Sequence, residues 1–463
     1  MAECRAKDDS KMIYCLLFLL ILMDILFFIF FDRNILSPSV IGTSMFVVST
    51  LFAVLNVDNW KFTISPFTVL VICLSILFLG GGEFFIHFCN YRHNQFRKID
   101  FEQDNDGIKI SNSSIFFIVV VFGVLLANYY RETVKLAVQA GYKSNSGLLM
   151  LAYARTALLN KHGNYEKIGR LASYSYTFMQ TIAYVFSYIF LYNKIIAGKR
   201  HCAKYLLPVF LLIPYIILST GRTSFIYLIM VWIVVGSCFY MQKKCWRPKY
   251  VFRIIGIGLG GMALFLLLFI LAGSFKSNTI MESAWKAISF YAGLSIPSLD
   301  WYFTEFNPPA NEYFGEHVFF GIYGVLNRIN PSIPQFYAPW SEFATFNHTR
   351  GNVYTIIRRY HQDFGYFGLL FMMFCLGAFY SFLFLRLNNT RKNAGMLIYA
   401  FIFSPIVEMS IEERFFMNIV TLKTAQMLVL SYIMFKIFIN DSGKRLATYL
   451  FKINLPTSMR GSL

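Results

Sequence analysis

Residues 12–31 read MIYCLLFLLILMDILFFIFF, about 20 almost uninterrupted apolar positions. That is the length a helix needs to cross the hydrocarbon core of a bilayer. No small-residue cleavage site follows it, so the stretch reads as a first transmembrane helix, not as a removable signal peptide.

The rest of the chain repeats the signal. Of 463 residues, 57% are hydrophobic, 19% aromatic and only 14% charged. A soluble protein of this size needs a charged surface, and this chain has too few charges to build one. The expected fold is therefore an all-α polytopic integral membrane protein with a single transmembrane domain over residues 1–463. Eleven apolar runs are long enough to cross, near 12–31, 38–56, 66–86, 114–130, 171–193, 205–220, 223–241, 254–274, 365–385, 394–410 and 416–438; the count allows 10–12. No internal repeat of 20–50 residues is visible, so nothing supports a solenoid or an inverted-repeat transporter.

The formal net charge is +18. The basic residues come in short clusters between apolar runs, a pattern of membrane orientation and not of a phosphate-tracking face, which argues against nucleic-acid binding. One cluster holds Lys194, Lys199, Arg200 and Lys204; a second holds Lys243, Lys244, Arg247, Lys249 and Arg253. Arg386, Arg391 and Lys392 form a third, and the tail at 439–463 carries Lys444, Arg445, Lys452 and Arg460. Alternating crossings put all four on one side, expected to be cytoplasmic, C-terminus included. Arg5, Lys7 and Lys11 then fall outside; one crossing more or fewer before residue 170 would repair that exception. Two long loops, 131–170 and 275–364, fall on the outer side. The eight cysteines show no CxxC pairing and the long loops contain none, so neither a disulfide framework nor a zinc site is expected.

Four features carry possible chemistry. Leu148–Leu159 in the first loop is amphipathic and contains Arg155. It is either an interfacial helix with a snorkelling arginine or part of a ligand site. STGRTSF, 219–225, is a tight hairpin that sets Arg222 at the membrane boundary, as an anchor or as an anion-binding group among Ser219, Thr220 and Thr223. The second loop is dense in aromatic residues, Trp301 and Trp340 among them, either to stack on sugar rings or to form an interfacial belt. Within it, HVFFGIYGVL is too short to span and is expected to dip into the membrane edge. Glu408 and Lys423 lie inside apolar runs and are expected either to pair or to line a polar cavity with Glu412, Glu413 and Arg414.

The fourth feature is FNHTRGNVYTIIRRYHQDFGYFG, 346–368, with three arginines, two histidines and an aspartate within 16 residues. A helix from Asn352 to Asp363 is expected to stop at Gly365. Tyr354, Arg358 and His361 would share one face, and Arg359 and Asp363 would pair at i, i+4. The cluster fits either a headgroup contact or a pyrophosphate clamp, because guanidinium forks match phosphate oxygens. His348, His361 and Asp363 are the candidate general bases.

The TGR hairpin, the long outer loop and its exit through TRGNVYTIIRRYHQDFGYFG resemble the Wzy-type polymerases of bacterial O-antigen and capsular polysaccharides. As architecture the resemblance covers most of the chain; as motif it covers some 30 residues. O-antigen ligases are similar in layout, but carry a His-Asn pair where this chain has Gly351-Asn352 with histidine displaced to His348. The resemblance implies a GT-C-like fold in the bacterial inner membrane and undecaprenyl-pyrophosphate-linked oligosaccharides as substrates. It also implies membrane lipids and a chain-length-regulating membrane protein as partners. On that reading Arg222 and Arg350 hold the pyrophosphate and Arg155 and Arg358 assist. Arg359, Tyr354, Asn352, Trp301 and Trp340 line the substrate site, and Asp363, His348 or His361 takes the acceptor proton. No cofactor or metal is expected. The rival readings are a ligase or other lipid-linked glycosyltransferase, a flippase, for which a 90-residue outer loop is hard to justify, and a membrane-bound O-acyltransferase.

Overall fold

The computed structural model describes residues 2–93, 107–143, 149–159, 168–220, 223–243, 280–306, 311–337, 341–387 and 392–439, with isolated positions 256, 260 and 308. The expected crossing at 254–274, the hairpin residues Gly221 and Arg222, Trp340 and tail residues 440–463 lie outside that set.

The chain is almost wholly helical. Its elements are α1 (Ala2–Phe30), α2 (Pro38–Val54), α3 (Pro66–His93), α4 (Asn112–Gln139), α5 (Leu149–Leu159), α6 (Arg170–Leu191), α7 (Leu207–Leu218) and α8 (Thr223–Lys243). After the undescribed stretch come α9 (Ile280–Gly293), α10 (Ser295–Thr304), α11 (Phe320–Ile329), a two-stranded hairpin of β1 (Ala344–Phe346) and β2 (Thr349–Gly351), α12 (Ile356–Leu387), α13 (Ala394–Ile402), α14 (Ser404–Glu408) and α15 (Leu422–Ile439). Among the described residues six helices are long and apolar enough to cross a membrane: α1, α3, α4, α8, α12 and α15. The exteriors of α1 and α4 are apolar too, with Phe18 at 66% and Phe116 at 70% exposed. Water would penalise such a surface at about 25 cal/mol per Å2, and hydrocarbon would not.

The helices pack as two groups. α1, α2, α3 and α12 form one; α4, α6, α7, α8 and α15 form the other, with α13 touching α8, α12 and α15. α6 is buried on nearly every face from Ser175 to Leu191. Its serines and threonines avoid stranded hydroxyls by donating back one turn, Thr181 to Thr177 O and Ser187 to Ala183 O.

Helix starts are satisfied from far away in sequence. The Glu83 carboxylate in α3 accepts from Ser37 Oγ at 2.8 Å and Ser39 N at 3.0 Å, closing the start of α2. The Asp300 carboxylate in α10 accepts from Ser65 N, Ser65 Oγ and Thr68 Oγ1 at 2.6–2.8 Å, closing the start of α3. Both acids supply the acceptors that the orphan N–H groups of a helix start require.

These contacts sort the connections by end. At one end meet the starts of α3, α6, α8, α12 and α15, the ends of α2 and α4, and the described residues of 280–355. At the other meet residues 32–37, 107–111, 192–206 and 392–393: Lys204 Nζ reaches Asn112 Oδ1, and the Asn393 amide donates to the Tyr188 hydroxyl.

The exit from the long loop differs from the expected continuous helix. Residues 352–355 have no regular secondary structure, and α12 begins at Ile356, whose amide donates to Met409 O at 2.9 Å. Gly365 does break the helix, at φ 65 and ψ −170, but helix resumes beyond it. The left-handed φ suits a residue without Cβ.

Candidate functional site

Two arginines open α12, and both are enclosed: Arg358 is 0% and Arg359 3% exposed. The Arg358 guanidinium lies 3.9 Å from the Tyr354 ring centroid, 5.2 Å from that of Tyr302 and 5.7 Å from that of Phe306. Nη2 forms an ion pair with Glu342, whose own side chain is 40% exposed. Nε and Nη1 have no hydrogen-bond partner among the described residues. A buried charge costs several kcal/mol; one carboxylate and three ring faces offset only part of that. Two donors are left over, on a group that has no acceptor capacity of its own.

Arg359 was expected to pair with Asp363. Its guanidinium instead reaches Ser341 Oγ at 2.6 Å and Gln362 Oε1 at 3.3 Å. Asp363 is claimed from elsewhere. Its fully enclosed carboxylate accepts from Asn311 Nδ2 at 2.9 Å, His317 Nδ1 at 2.8 Å, His317 N at 3.1 Å and Val318 N at 2.6 Å. A carboxylate with four donors is an anchor for the 311–318 segment and has little left to take a substrate proton.

His361 is half-buried. Its Nδ1 meets the Tyr302 hydroxyl at 3.0 Å, and its ring packs against Tyr366 at 4.2 Å and Phe303 at 5.1 Å. Burial pushes the Tyr302 phenol up to about 12, so it stays protonated and can donate to that nitrogen. The Tyr354 phenol is likewise raised by burial, and donates to Glu342 O at 3.0 Å.

His348 and Arg350 sit outside this buried layer. Both are exposed on the β hairpin, where Arg350 pairs across from Thr345 and its guanidinium covers the Phe343 ring at 4.8 Å. The tip is tethered by Asn347 Nδ2, which donates to Asn59 O at 3.1 Å. Asn352 is half-buried; Trp301 is half-buried and stacks on Phe306 at 5.3 Å.

A second cationic cluster surrounds the 219–224 turn. Arg155, on α5, donates through Nη1 to Thr220 O at 3.0 Å, and Thr220 is left-handed at φ 54. Beside it Tyr176 donates to Ser224 Oγ, and Lys423 lies 5.8 Å from the Tyr176 ring. Lys423 thus serves this cluster and not Glu408. Glu408 is within 3.5 Å of Arg414, which also bridges Glu412 at 2.7 Å. Glu413 is enclosed and accepts from the amides of Phe416 and Met417 at 2.8 and 3.1 Å; burial pushes its carboxyl up to about 7. The 409–423 connection therefore touches both clusters, α12 at Ile356 and α6 at Tyr176. Among the described residues no group of three His, Cys, Asp or Glu is placed to hold a metal ion.

The expected membrane-edge dip becomes α11, none of whose residues is buried. It lies along residues 415–421, with Phe319 4.8 Å from Phe416. The residues that complete the site were silent in the sequence. His317 and Glu342 carry no periodicity or spacing signal and acquire partners only through the fold; Gln362 stands at i, i+3 from Arg359 on α12 and meets His317 only through the fold.

No family model, curated protein or solved structure matches this chain.

Proposed function

We propose that this chain is a polysaccharide repeat-unit polymerase of the bacterial inner membrane. It would have eleven crossings, a GT-C-like architecture, two long outer loops and a cytoplasmic C-terminus. The observation that carries the reading is the buried Arg358, with two unmatched guanidinium donors, at the same end of the bundle as Arg155 and the turn that contains Arg222. Two lipid pyrophosphates enter each turnover, one on the growing chain and one on the new repeat unit, and two cationic clusters suit two such anions. The motif resemblance supplies the rest.

In the reaction, a hydroxyl of the new lipid-linked unit attacks the anomeric carbon of the growing chain. The bond from that carbon to the pyrophosphate oxygen breaks, its electron pair leaves with the undecaprenyl pyrophosphate, and the hydroxyl proton passes to a base. Arginines facing the leaving group stabilise its developing charge. Arg350, exposed on the hairpin, and Arg222 would face the leaving group; Arg358 and Arg359 hold the 341–342 segment next to the hairpin of Arg350.

Deletion of the gene tests this by gel analysis of lipopolysaccharide or capsule. Loss of the ladder with a single repeat unit retained supports the polymerase. Loss of even the single unit points to a ligase or flippase.

A further inference from the structure

We propose that His317 is the general base of this glycosyl transfer; the inference rests on the polymerase reading above. Its imidazole is fixed at both nitrogens. Nδ1 lies 2.8 Å from Asp363 Oδ1 and Nε2 lies 3.3 Å from Gln362 Nε2. The Gln362 amide cannot be turned round, because its Oε1 is 3.3 Å from Arg359 Nη1, and arginine only donates. Gln362 Nε2 is therefore a donor, which makes His317 Nε2 an acceptor. The Asp363 carboxylate only accepts, which places the proton on Nδ1. Every role in the chain Asp363–His317–Gln362–Arg359–Ser341 closes for one tautomer, the one with a lone pair on Nε2.

A carboxylate behind an imidazole is the arrangement that orients a histidine base and stabilises the imidazolium it becomes. Here the basic nitrogen sits one amide away from the buried arginine pair, and the side chain keeps 22% of its surface open. His361 lacks that arrangement, since its Nδ1 is turned to a phenol, and exposed His348 is held by the hairpin alone. Of the groups facing His317, Asp363 and Glu316 (3.8 Å from Nδ1) are acidic, Gln362 is neutral and Arg359 lies beyond it. In the step, the acceptor hydroxyl takes the place of the Gln362 amide at His317 Nε2; that nitrogen takes the hydroxyl proton as the new glycosidic bond forms, and gives it to water after the lipid pyrophosphate departs.

The test uses the deletion strain complemented with full-length variants, and membranes from it supplied with the host's own lipid-linked repeat units. His317→Asn keeps an amide N–H for Asp363 but has no base. It should accumulate and melt like the wild type, while polymer synthesis falls roughly 100-fold or more. Its residual rate should lack the acid-side decline that a histidine base would give the wild-type pH profile. Gln362→Glu puts an acceptor against Nε2, favours the imidazolium, and should move that acid limb to higher pH. A wild-type ladder from His317→Asn overturns the assignment. So does an acid limb that Gln362→Glu leaves in place, the deciding result if His317→Asn fails to accumulate. A deletion strain that still makes its ladder removes the polymerase reading itself, a different failure from a ladder that needs the chain but not His317.

Discussion

Gly82 of α3 and Gly377 of α12 let the two helices meet backbone to backbone. A methyl on Gly82 would run into the Phe374 carbonyl, and one on Gly377 into the Leu79 carbonyl. Small residues at helix interfaces serve this purpose within membranes. This contact fixes α3 against α12, the helix that carries the arginines, at the far side of the bundle from them.

Gly82→Ala and Gly377→Ala should each destabilise the protein by at least about 3 kcal/mol, the upper range of overpacking, because the obstacle is backbone and cannot rotate away. Thermal unfolding in detergent would show it; a midpoint within two or three degrees of wild type would refute the close contact.

Arg358→Met should separate folding from function. Its partner Glu342 is exposed enough to be rehydrated, and an apolar side chain ends the cost of burying the guanidinium. The variant should therefore fold at least as stably as wild type yet give no polymer ladder. Arg358→Lys should lose it as well, since an ammonium cannot reproduce the fork.

Stability should fall as pH rises through the acid range. Glu413 lies between membrane-spanning segments, and burial raises its carboxyl from 4.5 to about 7. The folded state then holds a proton that the unfolded state has released. The loss should develop between pH 4.5 and 7, reach about 3 kcal/mol, and level off above. Glu413→Gln should flatten the dependence over that window in a pH series of melting curves.

Asp300→Ala leaves Ser65 N, Ser65 Oγ and Thr68 Oγ1 without their shared acceptor. A loss of about 1–3 kcal/mol is expected, with hydrogen exchange rising first at the start of α3.

Polymer synthesis by purified protein should survive a strong chelator, as expected if arginines do the work of a metal. Inhibition that is relieved by a divalent cation would contradict this.

Apolar run length located the helices well, because crossing a bilayer imposes a length that a sequence displays directly. Ten of the eleven expected runs coincide with described helices or a helix pair, and the eleventh, 254–274, is not described. The site was legible only as a neighbourhood. Spacing joined Arg359 to Asp363, but four donors from residues 311–318 took that carboxylate. Spacing likewise put Tyr354 on a helical face with Arg358; the two do meet, but with Tyr354 in the irregular stretch before the helix. Local periodicity reports neighbours on one element and is blind to a loop that folds back over it.

The two distant caps have a consequence for biosynthesis. The start of α2 is synthesised before Glu83, and the start of α3 long before Asp300, which follows Ser65 by 235 residues. The first helices must pack with open starts and wait for Glu83 and Asp300 to be translated. A nascent chain arrested before residue 300 would thus hold its early helices loosely, and the step that closes the bundle would be the same one that assembles the arginine site.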